Sequence, residues 1–198
     1  YKEFGVNAEY LIDHSWGKES CTIADIKAYK PKTNSISNSQ VLFEDYSFEK
    51  ARLVLKEMVE LGSLRLIENN LVTDSVGLYI GYSKDIIKAT GGTKRINNTT
   101  NVYSELLRAF LEIYDKTTDR NIAIRRIGVN FSNVIETENV QLNLFTDQEK
   151  IDKERKLQLT MSGIKNKMGK NTIIRGMDLE EGATTIARNR MVGGHNAS

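Results

Sequence analysis

Residues 75–82 constrain the fold more than any other segment, because their side chains alternate strictly in character. The even positions hold Val76, Leu78, Ile80 and Tyr82, and the odd positions hold Ser75, Gly77, Tyr79 and Gly81. Successive side chains of a β-strand point to opposite faces, so this alternation predicts a strand with one buried face. A chain that contains such a strand needs a second layer to cover the apolar face.

Three further strands are predicted around this one. Ser35–Phe43 is rich in Ser and Gln but ends on three apolar residues, Thr93–Thr99 is a polar strand after Gly91-Gly92, and Asn121–Phe131 closes the unit. The alternation of the last strand slips at Arg125-Arg126, which indicates a β-bulge.

Two helices are predicted between the strands. The first follows Ser47, a favourable N-cap residue, and ends at Asn69-Asn70. The second is expected to be capped by Thr100 or Asn101. The order β-α-β-β-α-β predicts an α+β fold with the split βαβ arrangement, in which two helices cover one face of a four-stranded sheet. The other face would carry Ser, Thr, Gln, Gly, Lys and Arg and would be free to lie on a large charged partner.

The pattern divides the chain into five segments. These are a short helix and its end in 1–17, a linker in 18–34, the sheet domain in 35–134, an acidic connector in 135–149 and a basic tail in 150–198. We expect the first helix at Glu3–Ile12. The tail has helical composition up to Met168, and the glycine-containing stretch after it is expected to be frayed or disordered. The chain starts without Met inside a helical pattern, which predicts a fragment.

Charge is distributed unevenly, although the net charge is only +2. Residues 150–198 hold 10 Lys or Arg and 5 Asp or Glu, whereas residues 135–149 hold 4 acids and no base. A basic segment of this kind predicts either a polyanionic partner or a solvated helix face, and composition does not decide between them.

Cysteine use and hydropathy predict a cytoplasmic protein. Cys21 is the only cysteine, which excludes an internal disulfide and is typical of a reducing compartment. No apolar run approaches the ~20 residues that a membrane span needs, and no signal peptide is visible.

No catalytic centre is predicted. His14, His195 and Cys21 are too few to build a structural zinc site, and neither a phosphate-binding loop nor a dinucleotide motif is present. No pair of aspartates is spaced to hold the two metal ions of a two-metal catalytic site. We therefore expect no catalytic residue, metal or cofactor in this chain.

Basic and aromatic residues on the predicted sheet leave alternatives open. Lys94-Arg95 and Arg125-Arg126 fall in strands that are predicted to be neighbours, where these side chains either bind phosphate or are ordinary solvated charges. Tyr79 and Tyr82 either stack on bases or pack in the core and at the sheet edge.

The last predicted strand carries a family resemblance. Asn121–Asn133, with the run Ile124–Ser132, resembles the last strand of the little-finger domain of Y-family translesion DNA polymerases. The preceding β-α-β-β-α order fits that domain throughout. The resemblance implies that residues 35–134 are a little finger and that the parent protein is a DNA-directed DNA polymerase that uses two Mg²⁺ ions.

Two flanking regions extend the resemblance. Phe4-Gly5, Ala8 and Ile12-Asp13 are similar to the final helix of the family's thumb domain, which implies that residues 1–17 are the end of a thumb. Trp16-Gly17 and Asn171–Gly176 are similar to the Gram-positive, UmuC-like branch.

The resemblance also implies which residues hold template DNA. Arg125 and Arg126 would bind phosphates. The same surface would be lined by Ser37, Asn38, Ser39 and Gln40 on the first strand and by Thr93, Lys94 and Arg95 on the third. Asn130 stands at a position that can be basic in the family, so we expect its contact with DNA to be weak or absent.

Residues 141–145 form a second motif. Gln141-Leu142-Asn143-Leu144-Phe145 resembles the bacterial sliding-clamp-binding pentapeptide, Gln-Leu-X-Leu-Phe. The resemblance implies that Gln141 bonds at a pocket rim while Leu142, Leu144 and Phe145 make apolar contacts. The alternative is a strand end or a core cluster. The surrounding acidic and polar sequence offers little core, which favours a partner site.

These features predict damaged-DNA binding and sliding-clamp recruitment within an error-prone polymerase of the SOS response. The alternative is a stand-alone split-βαβ adaptor that binds RNA or protein. For the tail, three roles stay open: a docking site for a recombinase or an accessory polymerase subunit, an extra DNA contact, or a helix packed on the little finger.

Overall fold

The computed structural model describes residues 5, 7–29, 34–83, 87–139, 148–192 and 195–196. The chain divides into two compact units, Tyr1–Thr33 and Asn34–Ser198. In the first unit, α1 spans Asn7–Ser15 and so continues past the predicted end at Ile12, whereas Glu3, Phe4 and Val6 of the predicted helix lie outside the described residues.

The segment predicted as a linker contains a helix, α2 (Ile23–Ala28). Thr22 caps it, because the Thr22 hydroxyl accepts from the Asp25 amide at 3.2 Å and the Asp25 carboxylate accepts from the Thr22 amide at 2.9 Å. This reciprocal pair satisfies two amides that a short helix otherwise leaves open.

The second unit begins with an antiparallel sheet and two helices. The elements are β1 (Ile36–Tyr46), α3 (Phe48–Glu68), β2 (Leu71–Tyr82), β3 (Thr90–Thr100), α4 (Tyr103–Thr117), β4 (Ile124–Ser132) and β5 (Ile135–Glu136). The strand order is β1-β4-β2-β3, and β5 pairs with the start of β2. The predicted α+β split βαβ fold is confirmed, and β5 adds a fifth, short strand.

The order of the strands corrects one prediction. Helix α3 connects β1 to the parallel strand β2, and helix α4 connects β3 to the parallel strand β4. Each connection skips one position in the sheet, and a strand of the other connection occupies that position. As a result β2 lies between β3, which holds Lys94-Arg95, and β4, which holds Arg125-Arg126. The two basic pairs are therefore not on neighbouring strands.

The core lies between one face of the sheet and the two helices. Val76 and Ile80 of β2 are fully buried there, as the alternation predicted. The Phe110 and Phe131 rings meet edge to face with centroids 5.4 Å apart. Gly62 allows α3 to approach the sheet, because a methyl group at this position would overlap the Phe131 ring.

The predicted bulge in the last strand is present. Gly81 pairs with Arg126 while the next residue, Tyr82, pairs with Ile124, so Arg125 is the extra residue on β4. Ile124 and Ile127 are both fully buried although they are three positions apart. A regular strand would turn one of them outward, and the bulge restores both to the core.

The two helices begin differently. The Ser47 hydroxyl accepts from the Lys50 amide and caps α3 as predicted. For α4 the prediction of a Thr100 or Asn101 cap is wrong: the N-cap position is Val102, which has no capping side chain. The Asn101 amide group instead donates to the Leu71 carbonyl at 2.9 Å.

The tail packs on the domain and supplies the missing cap. Its elements are α5 (Gln148–Met168), a 3₁₀ turn (Gly176–Leu179), α6 (Thr185–Arg188), β6 (Met191–Val192) and β7 (His195–Asn196). From α5, the Glu154 carboxylate accepts from the Ser104 amide at 2.9 Å, and Gln158 accepts from the Tyr103 amide at 3.4 Å. These contacts satisfy amides in the first turn of α4.

Two buried carboxylates of α3 hold the rest of the tail. Glu57 accepts hydrogen bonds from the Thr184 and Thr185 amides at 2.9–3.0 Å. Glu60 forms an ion pair with Arg175 at 3.1 Å. The expectation of fraying or disorder after Met168 is wrong for residues 169–192, and of the three roles considered for the tail the structure shows the packed helix.

Candidate nucleic-acid interface

The sheet face away from the helices is open and carries mainly small and polar side chains, together with Val41 and Tyr79. The register places these residues on it: Ser37, Ser39 and Val41 of β1, Arg126, Gly128 and Asn130 of β4, Gly77, Tyr79 and Gly81 of β2, and Thr93 and Arg95 of β3. A shallow depression of about 600 Å³ lies at its centre. The face thus offers a groove with hydroxyl, amide and guanidinium groups along it.

Five of the residues predicted to bind DNA lie on this face: Ser37, Ser39, Thr93, Arg95 and Arg126. They come from β1, β3 and β4, with β2 between the last two. The structure therefore brings together groups from three strands that are far apart in sequence.

Three predicted residues lie on the helix side and are corrections. Gln40 is 4% exposed and donates to the Thr184 hydroxyl at 2.9 Å, Lys94 is ion-paired with Glu112 of α4, and Asn38 lies opposite the core residue Val129. The reason is the period of two: consecutive residues of a regular strand cannot all face the same side.

Arg125 is placed by the bulge, and an acidic residue is its neighbour. Its guanidinium lies 3.8 Å from the Asp45 carboxylate. Arg95 is similarly paired, with Asp74 at 3.0 Å, yet its side chain is 82% exposed. Exposed ion pairs contribute only about 0–1 kcal/mol, so these pairs leave both arginines available to a phosphate.

Arg126 differs from the other two arginines. In the part of the chain that the structure describes it forms no ion pair, and it lines the depression. An unpaired guanidinium presents its full donor set to an incoming anion. Nearby, the Asn130 amide donates to the Ser132 hydroxyl at 2.7 Å and is engaged within its own strand.

The two tyrosines of β2 have opposite environments. Tyr82 is buried, bonds to the Thr90 hydroxyl at 2.7 Å and accepts from the Asp119 amide at 2.8 Å. Tyr79 is 47% exposed on the open face. Packing therefore explains Tyr82, and Tyr79 remains as an aromatic group at the surface.

The described part of the chain contains neither a candidate metal site nor a candidate membrane span. Its residues include no group of three or more His, Cys, Asp or Glu that could hold a metal ion. None of the helices seen there is long and apolar enough to cross a membrane. The motif at residues 141–145 lies outside the described residues.

Comparison with known proteins identifies the domain. The model of the impB/mucB/samB family C-terminal domain matches residues 33–144, more than half of the chain. The chain belongs to this family. The resemblance to the C-terminal region of Y-family polymerases is thereby confirmed.

Two curated relatives from Bacillus subtilis (strain 168) align along nearly the whole chain. "Putative UV-damage repair protein UvrX" is 32% identical and covers 99% of this chain. "DNA polymerase IV 2" is 36% identical and covers 98%. The chain spans 46% of the length of each relative. Among solved structures, the "Complex of beta-clamp processivity factor and little finger domain of PolIV" is 14% identical, covers 57% of this chain and all of that one, and has a TM-score of 0.41.

The impB/mucB/samB match ends before the tail, which nevertheless belongs to the same compact unit. Sequence reasoning missed the carboxylates that dock it, Glu57 and Glu60. A signal was present: Leu53 and Leu64 place apolar side chains on α3 outside the stripe that faces the sheet, and both are buried. Apolar residues on a second side of a helix are expected to be covered there as well.

Proposed function

We propose that this chain holds DNA and recruits a sliding clamp for a translesion DNA polymerase. The observation that carries the first part is the open sheet face, whose groove contains polar groups and an arginine, Arg126, with no described ion partner. Membership of the impB/mucB/samB family supports DNA as the polyanion.

Binding on this face would use phosphate contacts. Arginine, serine and threonine side chains are the usual ligands of the DNA backbone, and they carry no sequence information. Release of condensed counterions drives such binding, so affinity falls as salt rises. We expect weak, sequence-independent and salt-sensitive binding, with Arg126 contributing more than Arg95 or Arg125.

Arg126 and Lys94 provide a matched pair of variants. The two side chains carry the same charge but lie on opposite sides of the sheet. Arg126→Ala should weaken binding equally for unrelated primer–templates and should reduce the slope of log K against log salt by about 1. Lys94→Ala should leave both quantities unchanged.

Fluorescence anisotropy of the 198-residue chain over a salt series measures these effects, with circular dichroism to confirm folding. Equal losses for Lys94→Ala and Arg126→Ala would point to general electrostatics and contradict the face assignment. The same conclusion would follow if Arg125→Ala combined with Arg126→Ala left binding unchanged.

Clamp recruitment would use residues 141–145. Leu144 and Phe145 would supply roughly 1.5–3 kcal/mol for each fully buried side chain, Gln141 would orient the peptide and Leu142 would add a secondary contact. Ordering of a short segment offsets part of this energy, so we expect micromolar affinity. Replacing Leu144 and Phe145 by Ala should abolish most binding in a calorimetric titration with bacterial sliding clamp.

The control for that variant is its stability. DNA affinity and thermal unfolding should stay nearly unchanged, since the motif is proposed to face a partner. A large loss of stability would assign Leu144 and Phe145 to the core and overturn the clamp proposal.

For the whole protein we propose template-directed DNA synthesis in the bacterial cytoplasm during the response to DNA damage. Its two Mg²⁺ ions would be held by residues outside this chain, which spans about half of its relatives. The purified chain should therefore incorporate no nucleotide on a primer–template with Mg²⁺. Reproducible primer extension would contradict this division of labour.

A further inference from the structure

Tyr79 stands alone among glycines at the centre of the open face. Gly77 and Gly81 are its neighbours along β2, while Gly128 of β4 and Gly91 of β3 lie directly opposite it. All four positions next to Tyr79 therefore lack side chains. Glycine weakens a strand interior, and such positions often mark a close approach by a ligand or another backbone.

The fold requires glycine at some of these four positions but not at all of them. Gly91 has a φ of +123°, and a Cβ there would overlap the Leu78 carbonyl, so its own backbone requires glycine. A Cβ on Gly77 would meet only ordinary contacts, the nearest at 3.5 Å. The fold therefore does not require Gly77, which leaves an open position beside the tyrosine.

Gly81 and Gly128 show where the Tyr79 side chain lies. A Cβ on Gly128 would be 3.3 Å from Tyr79 Cβ, and one on Gly81 would be 3.3 Å from Tyr79 Cε1. The ring thus leans along the strand over Gly81 instead of standing among neighbouring side chains. It is half exposed in this position.

Arg126 lies beside the end of this ring. The same Cβ position on Gly81 is 3.1 Å from Arg126 Cβ and 3.5 Å from the Tyr79 hydroxyl. A phosphate ligand and an aromatic surface are therefore adjacent within one groove. This pairing is what a single nucleotide needs, because its phosphate and its base can be bound separately.

The chemistry selects an unpaired base. In a duplex both faces of a base are covered by its stacked neighbours, so a side chain on a sheet cannot reach them. An unpaired base has free faces, and stacking on an aromatic side chain tolerates every base because each has a π-face.

We propose that Tyr79 stacks on an unpaired base, so that the open face binds single-stranded DNA in addition to duplex phosphates. This inference rests on the proposed function for its choice of DNA. It assigns the glycine-cleared patch around Tyr79 to the unpaired base and Arg126 to the adjacent phosphate.

The test compares Tyr79→Leu with Tyr79→Phe in the 198-residue chain. Phe keeps the ring and Leu removes it while preserving an apolar side chain. Anisotropy would use three probes of one sequence: a single-stranded DNA oligonucleotide, the blunt DNA duplex and the corresponding single-stranded RNA. Tyr79→Leu should weaken single-stranded DNA binding by about 5- to 150-fold, equivalent to one stacked base. The affinity of Tyr79→Phe for single-stranded DNA should stay near the wild-type value, and so should the affinity of both variants for the duplex.

The outcomes separate the two proposals. Duplex binding that depends on Arg126, together with single-stranded binding that is indifferent to Tyr79→Leu, overturns the stacking proposal alone. No binding of any DNA by the wild-type chain overturns both. Tighter binding of RNA than of DNA overturns the choice of DNA and supports an RNA adaptor. Photocrosslinking of 5-iodouracil DNA to the peptide that contains Tyr79 gives a second readout, and an absent crosslink contradicts stacking.

Discussion

Helix α3 is buried on two sides by different chemistry. Toward the sheet it presents apolar side chains, including Val54, Leu55 and Val59, all fully buried. Toward the tail it presents carboxylates, and Glu57 and Glu60 are only 5% and 4% exposed. One helix therefore makes a conventional core on one side and a polar interface on the other.

In the polar interface, each side supplies a carboxylate that accepts hydrogen bonds from the first amides of a helix on the other side. Glu57 of α3 accepts from the first amides of α6, and Glu154 of α5 accepts from the first turn of α4. Carboxylates are favourable at helix N-termini, where amides lack partners and the dipole is positive. Burial of apolar side chains therefore holds α3 to the sheet, whereas hydrogen bonds between matched donors and acceptors hold the tail to the domain.

The largest expected effect is on the sheet side. Leu55→Ala should lower the free energy of unfolding by about 2–5 kcal/mol, since it removes fully buried methylene groups and leaves a cavity. Urea unfolding measures the change. Leu61→Ala on the same helix is the control, because Leu61 is 56% exposed, and it should stay within about 0.5 kcal/mol of wild type. Equal losses for the two variants would contradict this description of the core.

Next in size is Glu57→Gln on the tail side. The substitution keeps the shape but turns one acceptor into a donor that faces the Thr184 and Thr185 amides. An unsatisfied buried group costs about 1–3 kcal/mol, and the loss should appear as faster amide hydrogen exchange at these two residues. Glu49→Gln, at an exposed position of α3, should leave the exchange of the Thr184 and Thr185 amides unchanged. Unchanged exchange in Glu57→Gln would mean that the tail is held elsewhere.

Alkaline pH should weaken the contact between domain and tail. Burial raises the pKa of Tyr103 to about 12, and the Arg175 guanidinium lies 4.2 Å from the centre of its ring. The unfolded chain loses this proton near pH 10, before the folded chain does. Stability is therefore fully present below pH 10 and is lost as pH rises towards 12, by about 1 kcal/mol at pH 11.

Tyr103→Phe should remove this contribution and flatten the pH dependence of unfolding between pH 10 and 12. Tyr114, whose pKa burial also raises, keeps a residual slope in the variant. An identical profile in wild type and Tyr103→Phe would show that Tyr103 does not titrate differently on folding.

The smallest effect belongs to the ion pair of Lys50 and Glu181 at the edge of the same contact. Each partner shifts the pKa of the other, with Glu181 lowered and Lys50 raised, but both groups are at the surface. Solvent screens such pairs, so Lys50→Ala should leave the unfolding midpoint unchanged within error. A clear loss would mean that surface charge, and not the buried carboxylates, anchors the tail.

The alternation at Val76–Tyr82 predicted the central strand, because local periodicity directly reports which face is buried. The bulge at Arg125 was predictable for the same reason, since only an extra residue lets Ile124 and Ile127 share a face. The order of strands and helices along the chain was then enough to predict the α+β fold. These features depend on neighbours in sequence.

The errors concern partners that are distant in sequence. Which strands are neighbours depends on how the two β-α-β connections interleave in the sheet. Local sequence patterns contain no information on this. The prediction that Lys94 and Gln40 share the open face with their chain neighbours is wrong, because alternation allows only every second residue of a strand on one face. No local pattern indicates that Glu57 is buried, because its partners Thr184 and Thr185 lie more than 120 residues away in the chain.

The carboxylate-bearing side of α3 has a consequence for synthesis on the ribosome. Residues 139–198 take roughly 3–12 s to make at ordinary elongation rates, so the sheet and its helices can begin to fold before the tail is complete. During that interval Glu57 and Glu60 keep part of the uncovered side of α3 hydrated, which makes it less prone to aggregation than a wholly apolar face. The docking surface can thus stay open in water until the tail is made and covers it.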